Sequence, residues 1–373
     1  MKKWMKVVST CALVLTLTGC QSGNQSSTNS DDGTVKVGFI GPLTGDYAVY
    51  GIGQRNSALL AIKDYNAKGG TQFALVDEDS QGDNTSAFNA YNKLVDSDHV
   101  IGIMGAAMSG ETASITAASE AVGTPIISAS ATALEATKPA NSFRGCFTDP
   151  MQAEFMADYV MDNGYGKIAI LYNKDSDYSV GLTEVFSETV KANGGEIVVS
   201  ESYSDGDKDF NTQLTKIANS DIDAFFVPNY YGDNVLIAKQ ARDLGITQQL
   251  FGCDGWDGVL SIVDDSSAFE GVLFTNGYSP DDAKIKEYID KYHAEFGDSE
   301  EPNNFAFLAY DAMMTLLNAY DNAQTKDNAG IVEAMKQTNY DGILGNLTFD
   351  ENGDPIRKIN VVTVKDGVYA SAN

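Results

Sequence analysis

Val35-Lys36-Val37-Gly38-Phe39-Ile40, closed by Gly41-Pro42, is the stretch on which the fold turns. It is short, β-rich and ended by a chain breaker, which predicts a buried strand over 35–40. Outward from it, Ile52, Leu59, Leu60 and Ile62 to Tyr65 fall at helical spacing until Gly69-Gly70 stops them. Phe73 to Asp77 predicts the next strand, and Phe88, Tyr91, Leu94 and Val95 mark the next helix. Val100 to Met104 and Pro125 to Ile127 continue the series. After Asp149 the cycle restarts, with strands predicted over Lys167–Tyr172, Glu196–Val199 and Ala224–Val227. Between them run apolar stripes such as Leu182, Val185, Phe186, Thr189 and Val190, then Phe210, Leu214 and Ile217. Repeated strand–helix units imply an α/β fold with parallel central sheets, and the restart implies two such lobes.

In sheets of this kind ligands lie beyond the carboxyl ends of the strands, beside helix starts. Two loops of that kind carry hydroxyls: Gly105 to Glu111, with Ser109, and Ser128 to Glu135, with Thr132. Free backbone N–H groups and the positive end of a helix dipole behind such hydroxyls suit a small carboxylate. The same residues also fit a structural role, Ser109 as an N-cap and Thr132 with Glu135 as a capping box. One hydroxyl can serve both roles, and the sequence leaves both open.

The 373 residues carry 25 Lys+Arg against 52 Asp+Glu, a formal charge of −27. A length of this size fits about two domains. With 43% hydrophobic and 10% aromatic residues the chain is too apolar to be disordered, so the acidity belongs to a folded surface. Such a polyanion excludes a nucleic-acid partner, which needs clustered Lys and Arg.

The N-terminus differs from the body. Lys2, Lys3 and Lys6 precede an uncharged run, Val7 to Thr18, that is too short to span a bilayer and long enough for a signal-peptide core. Leu17-Thr18-Gly19-Cys20 resembles a bacterial lipobox, which predicts a signal peptide over 1–19 and lipidation of Cys20. Cleavage removes three lysines and moves the formal charge from −27 to −30. Two acyl chains suffice for stable anchoring, and the polar run to Gly33 reads as a flexible tether. The expected location is the extracytoplasmic face of the cell membrane.

Signatures of catalysis are missing. The sequence has no phosphate loop, no H-E-x-x-H and no G-x-S-x-G. Its two histidines, His99 and His293, read as solvated surface residues. Acidic clusters such as Asp77-Glu78-Asp79 do not match calcium-loop spacing. The expectation is a protein that is not an enzyme and needs no metal or cofactor.

Val35-Lys36-Val37-Gly38 with Gly41-Pro42-Leu43-Thr44-Gly45 resembles the opening of the leucine/isoleucine/valine-binding proteins, the solute receptors of ABC importers. Ser128 to Thr137, Lys208-Asp209-Phe210, Gly252-Cys253-Asp254-Gly255 and Leu347-Thr348-Phe349-Asp350 follow in order, so the resemblance covers the whole mature chain. It implies the type I periplasmic binding protein fold: two Rossmann-like lobes, 34–146 plus 278–349 and 147–277 plus 350–373, joined by a three-stranded hinge. It implies ABC permease subunits as partners and a monomeric receptor. By position, Ser109 and the Thr132 N–H would bind a ligand carboxylate, and the Thr132 hydroxyl, the Ser130 carbonyl and Asp254 would meet an ammonium. Tyr178 and Tyr230 would close from the second lobe, while Tyr50, Met108 and Phe305 would surround the ligand side chain. The ligand class implied is an amino acid, foremost leucine, isoleucine or valine. Another neutral amino acid, an amide, urea or an aromatic acid stays open, as does a surface sensor in place of a transporter subunit. Cys146 and Cys253 would both lie near the cleft base, and their pairing is left open.

Residue chemistry agrees with this set. A buried zwitterion needs donors at one end and an anion at the other, because either charge left unpaired costs several kcal/mol. Asp254 in Asp-Gly also reads as an ordinary turn former.

Overall fold

β1, Val35–Gly41, pairs in parallel with β2, Phe73–Asp79, on one side and β3, Ile103–Met104, on the other. The computed structural model describes residues 33–372. Val37 to Gly41 are all buried, as expected for a strand covered on both faces by crossover helices. β4, Ile126–Ser128, and β5, Ser142–Arg144, complete a five-stranded parallel sheet in the order β2-β1-β3-β4-β5. Its crossovers are α1, Ala48–Ala67, α2, Asn84–Asn92, and α3, Ser109–Ser119. α1 sits directly on the end of β1: a Cβ on Gly51 would lie 1.9 Å from the Pro42 carbonyl oxygen.

The second sheet has seven strands in the order β14-β13-β10-β9-β8-β6-β7. The first part of it alternates with helices: α4, Asp149–Asp162, β6, Lys167–Asn173, α5, Asp177–Ala192, β7, Glu196–Tyr203, α6, Asn211–Ala218, β8, Ala224–Phe226, α7, Tyr231–Asp243, and β9, Gln249–Gly252. β10, Leu273–Asn276, extends the parallel run next to β9. The chain then returns to the first sheet through α8, Ala283–Phe296, α9, Asn304–Asn322, α10, Asn328–Lys336, and the hairpin β11, Tyr340–Gly342, with β12, Gly345–Leu347. β13, Asn360–Lys365, and β14, Val368–Ser371, add antiparallel strands to the second sheet. The chain therefore crosses between the sheets over 145–148, 277–282 and 348–359. One buried cluster runs across both sheets, and each sheet has a further cluster of its own. In the second, Phe186 and Phe226 stack at 3.8 Å between ring centres beside Leu182 and Val190.

Some expectations fail for physical reasons. The strand expected over Val100–Met104 is formed only at Ile103–Met104, because residues 93–98 wind a wide helical turn and His99 takes a left-handed φ of 56° before it. Leu59 and Phe88, expected in buried stripes, are 38% and 42% exposed. α1 buries Leu60, Ile62 and Tyr65 of the expected stripe, and with them small and polar residues such as Gly53, Ser57, Ala58 and Ala61 packed closely against α9, so apolar side chains mark only part of its buried face. Ser109 is not an N-cap but the first residue of α3, preceded by Met108, whose N–H donates to Glu111 Oε2. Thr132 and Glu135 do not form a capping box: the 3₁₀ turn Leu134–Thr137 is preceded by Ala133, and Glu135 pairs instead with Lys138. Cys146 and Cys253 are both buried free thiols.

The leader, Cys20 and the tether up to residue 32 lie outside the described residues. No helix among the described residues is long and apolar enough to cross a membrane.

Candidate ligand-binding site

The loops that leave the carboxyl ends of β1, β3, β4, β6, β8 and β9 all converge on one chamber between the two sheets. Its cavity is about 10 Å³, room for about one water molecule, so the sheets must part to admit a larger ligand. It is lined by Tyr50, Met108, Ser130, Thr132, Tyr178, Tyr230, Asp254 and Phe305, with Ala107. All expected positions except Ser109 therefore meet at its wall. Larger surface depressions exist: the one bounded by α9 and α10 collects no buried acid, whereas one beside the start of α1, of about 710 Å³, includes the buried Asp257 in its lining.

Ser109 stands just behind the wall. Its Oγ accepts the Ala133 N–H at 3.3 Å, which ties the start of α3 to the loop after β4 and leaves the hydroxyl proton to donate. The backbone N–H of Ser109 faces the Tyr230 hydroxyl across the gap between the sheets. That loop is fixed from within. The Ser128 hydroxyl donates to Ala106 O at 2.8 Å and accepts from Ala131 N–H, and the Ser130 hydroxyl donates to Ala107 O at 2.6 Å. Gln54 Nε2 of α1 then donates to Ser130 Oγ at 2.9 Å.

Asp254 lines the opposite wall. It opens a 3₁₀ turn, Asp254–Trp256, so it is a turn residue as well as a buried acid at 1% exposure. Its Oδ1 accepts the Tyr178 hydroxyl at 2.8 Å and Gln152 Nε2 at 3.1 Å, while the Tyr178 oxygen accepts the Gly255 N–H at 2.9 Å. Gly255 is required there, since a Cβ would lie 2.5 Å from Asn229 O. Burial pushes the Asp254 carboxyl up to about 6 against the lowering effect of its hydrogen bonds. Gln152 Oε1 accepts from Asp254 N–H and from the Thr275 hydroxyl, so its amide orientation follows from four partners.

Aromatic rings form much of the rest of the wall. The Tyr50 ring meets Phe305 edge-on at 4.5 Å and Tyr230 at 6.1 Å, and Tyr178 stacks on Tyr230 at 4.7 Å. Trp256, near the chamber in sequence, turns into the core instead, where its Nε1 donates to Val227 O.

Contacts across the gap hold the sheets together around the chamber. The Tyr50 hydroxyl donates to Gly255 O at 2.8 Å, the Tyr231 hydroxyl to Asp46 O at 2.6 Å, and Asn304 N–H to Asp257 Oδ2 at 3.1 Å. The arrangement is a closed one.

Sequence reasoning missed Asp149, Gln152, Tyr231 and Asp257. Asp149 is 2% exposed and burial raises its carboxyl to about 7; Asp257 is fully buried and raised to about 6 for the same reason. The signal for Asp149 was present in Thr148-Asp149-Pro150, an N-cap followed by an acid and a proline, at a strand end outside the two hydroxyl-bearing loops. Neither histidine reaches the chamber: His99 is exposed, and His293 lies half-buried beside Glu301. Among the described residues no group of three or more His, Cys, Asp or Glu side chains can hold a metal ion.

Comparison with known proteins matches this geometry to a family. The model of the family described as periplasmic binding protein matches residues 34–368. A leucine-, isoleucine-, valine-, threonine- and alanine-binding protein of Pseudomonas aeruginosa is 30% identical over 331 residues, 86% of this chain and 87% of that protein. A leucine-binding protein of Thermotoga maritima superposes with a TM-score of 0.85 at 31% identity, over 91% of this chain and 98% of its own. A branched-chain amino acid transporter substrate-binding protein of Streptococcus pneumoniae, solved with isoleucine, gives 0.84 at 31% identity over 91% and 99%. With two parallel sheets, three crossing segments and a chamber between the strand ends, the chain belongs to the periplasmic binding protein family, in its type I fold.

Proposed function

We propose that this chain is the receptor of an ABC importer and that it takes an amino acid with a branched aliphatic side chain into the closed chamber. The observation that carries the reading is the polarity of that chamber. Thr132 and the buried acid Asp254 supply its polar groups, and Tyr50, Met108 and Phe305 line it with uncharged side chains. An ammonium satisfies Asp254, which is otherwise a buried charge held by neutral donors alone. The Ser109 hydroxyl and the N–H groups at the start of α3 offer donors to the carboxylate. Of the relatives reported above, one is named for binding leucine, isoleucine, valine, threonine and alanine, one for binding leucine, and one was solved with isoleucine. Tyr50, Met108 and Phe305 offer no charge to meet a charged ligand side chain. An acid without an ammonium leaves Asp254 unpaired, which disfavours the aromatic acids.

The reading includes the remaining expectations. The closing bodies are 34–146 with 278–349 and 147–277 with 350–373, acting as a monomer. The receptor binds and does not transform its ligand: the chamber wall contains no histidine, cysteine or lysine. Cys20 carries the lipid that holds it to the membrane after the leader is removed.

Thermal melts of the full chain against a panel of amino acids, amides and aromatic acids test the ligand class. At about 100 times Kd a true ligand adds roughly 2.7 kcal/mol of stability. Leucine, isoleucine or valine should give the largest shift, and Asp254→Ala should abolish it. A panel in which no α-amino acid moves the melting point overturns the reading.

A further inference from the structure

Two buried oxygens around the chamber have no hydrogen-bond partner: Thr132 Oγ1 and Asp149 Oδ2. They belong to residues already joined, since the Asp149 N–H at the start of α4 donates to Thr132 O at 2.8 Å. The Thr132 hydroxyl lies close enough to the Asp149 carboxylate to lower its proton affinity. Asp149 does not line the chamber, whereas Thr132 does. We propose that Asp149 is a positioning residue for the ligand's ammonium group: its ionised carboxylate accepts a hydrogen bond from the Thr132 hydroxyl and leaves that oxygen's lone pairs facing the chamber.

A threonine hydroxyl owns one proton and can donate it in only one direction. Given to Asp149, that proton leaves Oγ1 as an acceptor toward the ligand. If Asp149 is itself protonated and donates to Oγ1, the hydroxyl proton turns toward the chamber and opposes the ammonium. The charge state of one acid outside the wall thus sets the polarity of a hydroxyl in it. Asp149 and Asp254 also share a donor, because Gln152 Nε2 serves Asp149 Oδ1 at 3.2 Å and Asp254 Oδ1 at 3.1 Å. The nearby cation is Arg144 on β5, which is bound to Asp354, Ala131 O and Thr137. The other titratable groups facing Asp149 are the thiols of Cys146 and Cys253 and the phenols of Tyr178 and Tyr230. Burial raises all four, so they stay neutral. Two acids then compete to hold protons where a single ammonium is to bind, and burial raises both, Asp149 to about 7 and Asp254 to about 6.

The inference rests on the amino-acid reading, and the experiment separates the two. The full chain is titrated calorimetrically with L-leucine, L-isoleucine and L-valine between about pH 5.5 and 8.5, as wild type, Asp149→Asn, Thr132→Val and the double variant. Wild type should lose affinity as pH falls below about 7, toward tenfold per unit. Asp149→Asn places an amide donor on Thr132 and mimics the protonated acid. It should bind about tenfold more weakly near pH 8 and show a flatter profile, set by Asp254 alone. Thr132→Val should lose a similar factor, and the double variant no more than either single change. Wild-type affinity and pH profile in Asp149→Asn, or losses that simply multiply in the double variant, overturn the proposal. Failure of wild type to bind any of the three amino acids defeats the underlying reading instead.

Discussion

Tyr178 shows how much one side chain can organise. Its hydroxyl donates to Asp254 at 2.8 Å and accepts the Gly255 N–H at 2.9 Å, and its ring stacks on Tyr230. Tyr178→Phe keeps the ring and removes both hydrogen bonds. The buried Gly255 N–H then lacks a partner, at a cost of about 1–3 kcal/mol that urea unfolding of the variant would register. Asp254 loses its strongest donor, so its proton affinity should rise further and the pH below which amino-acid binding fails should move upward. Binding titrations across pH would detect that shift. A variant with wild-type stability and pH profile would show that the phenol only fills space. At this scale Asp254, Thr132 and the aromatic wall were legible in the sequence, through residue type and family resemblance. Gln152 was not, and Thr148-Asp149-Pro150 marked Asp149 only as part of a helix start, because a carboxylate and an amide on the surface of a helix look the same in sequence as the pair buried here.

At the scale of elements, α1 carries Tyr50 of the chamber wall, and its seat on β1 depends on one missing methyl group. A Cβ at Gly51 would come 1.9 Å from Pro42 O and 2.5 Å from Pro42 C, both backbone atoms that cannot swing aside. Gly51→Ala should therefore push α1 away from the strand end and carry Tyr50 with it, breaking the bond to Gly255 O. Overpacking of this kind costs about 1–3 kcal/mol or more. Lower stability with weakened ligand binding is expected, measured by melting and calorimetry; unchanged values would mean that the Pro42 turn yields freely. The order of strands and helices was legible from periodicity, since β-rich runs and helical stripes differ in pattern. The face each helix buries was less so. α1 packs small and polar residues against α9, and a stripe of apolar side chains could not reveal that partner.

Across the whole molecule, charge and closure meet. The net charge of −27 repels itself, and Asp149, Asp254 and Asp257 add buried acids whose proton affinities are raised. For such acids the folded state binds protons more readily than the unfolded chain. Their destabilising effect is full above about pH 7 and fades as pH falls toward the unfolded value near 4. The unliganded protein should thus melt higher at about pH 5 than at about pH 8, the reverse of simple acid denaturation. An ammonium replaces the missing proton, so the stabilisation by a bound amino acid should be largest at the higher pH and shrink on acidification. Melts with and without L-leucine at the two pH values check both signs. A melting point that falls steadily from pH 8 to 5 without ligand would show that these acids are solvated.

The sequence by itself determined what local chemistry dictates: alternating strands and helices, a parallel α/β architecture, the hydroxyls beyond strand ends and a family resemblance that names their partners. Those features depend on spacing along the chain, and spacing is what a sequence records. Only the tertiary structure decided which groups share a chamber and which oxygens are left over. Asp149 and Asp254 stand more than a hundred residues apart, and both accept from Gln152 because α4 packs on the second sheet beside the end of β9. Burial by long-range packing made them a coupled pair, and burial is the quantity that a linear pattern does not contain.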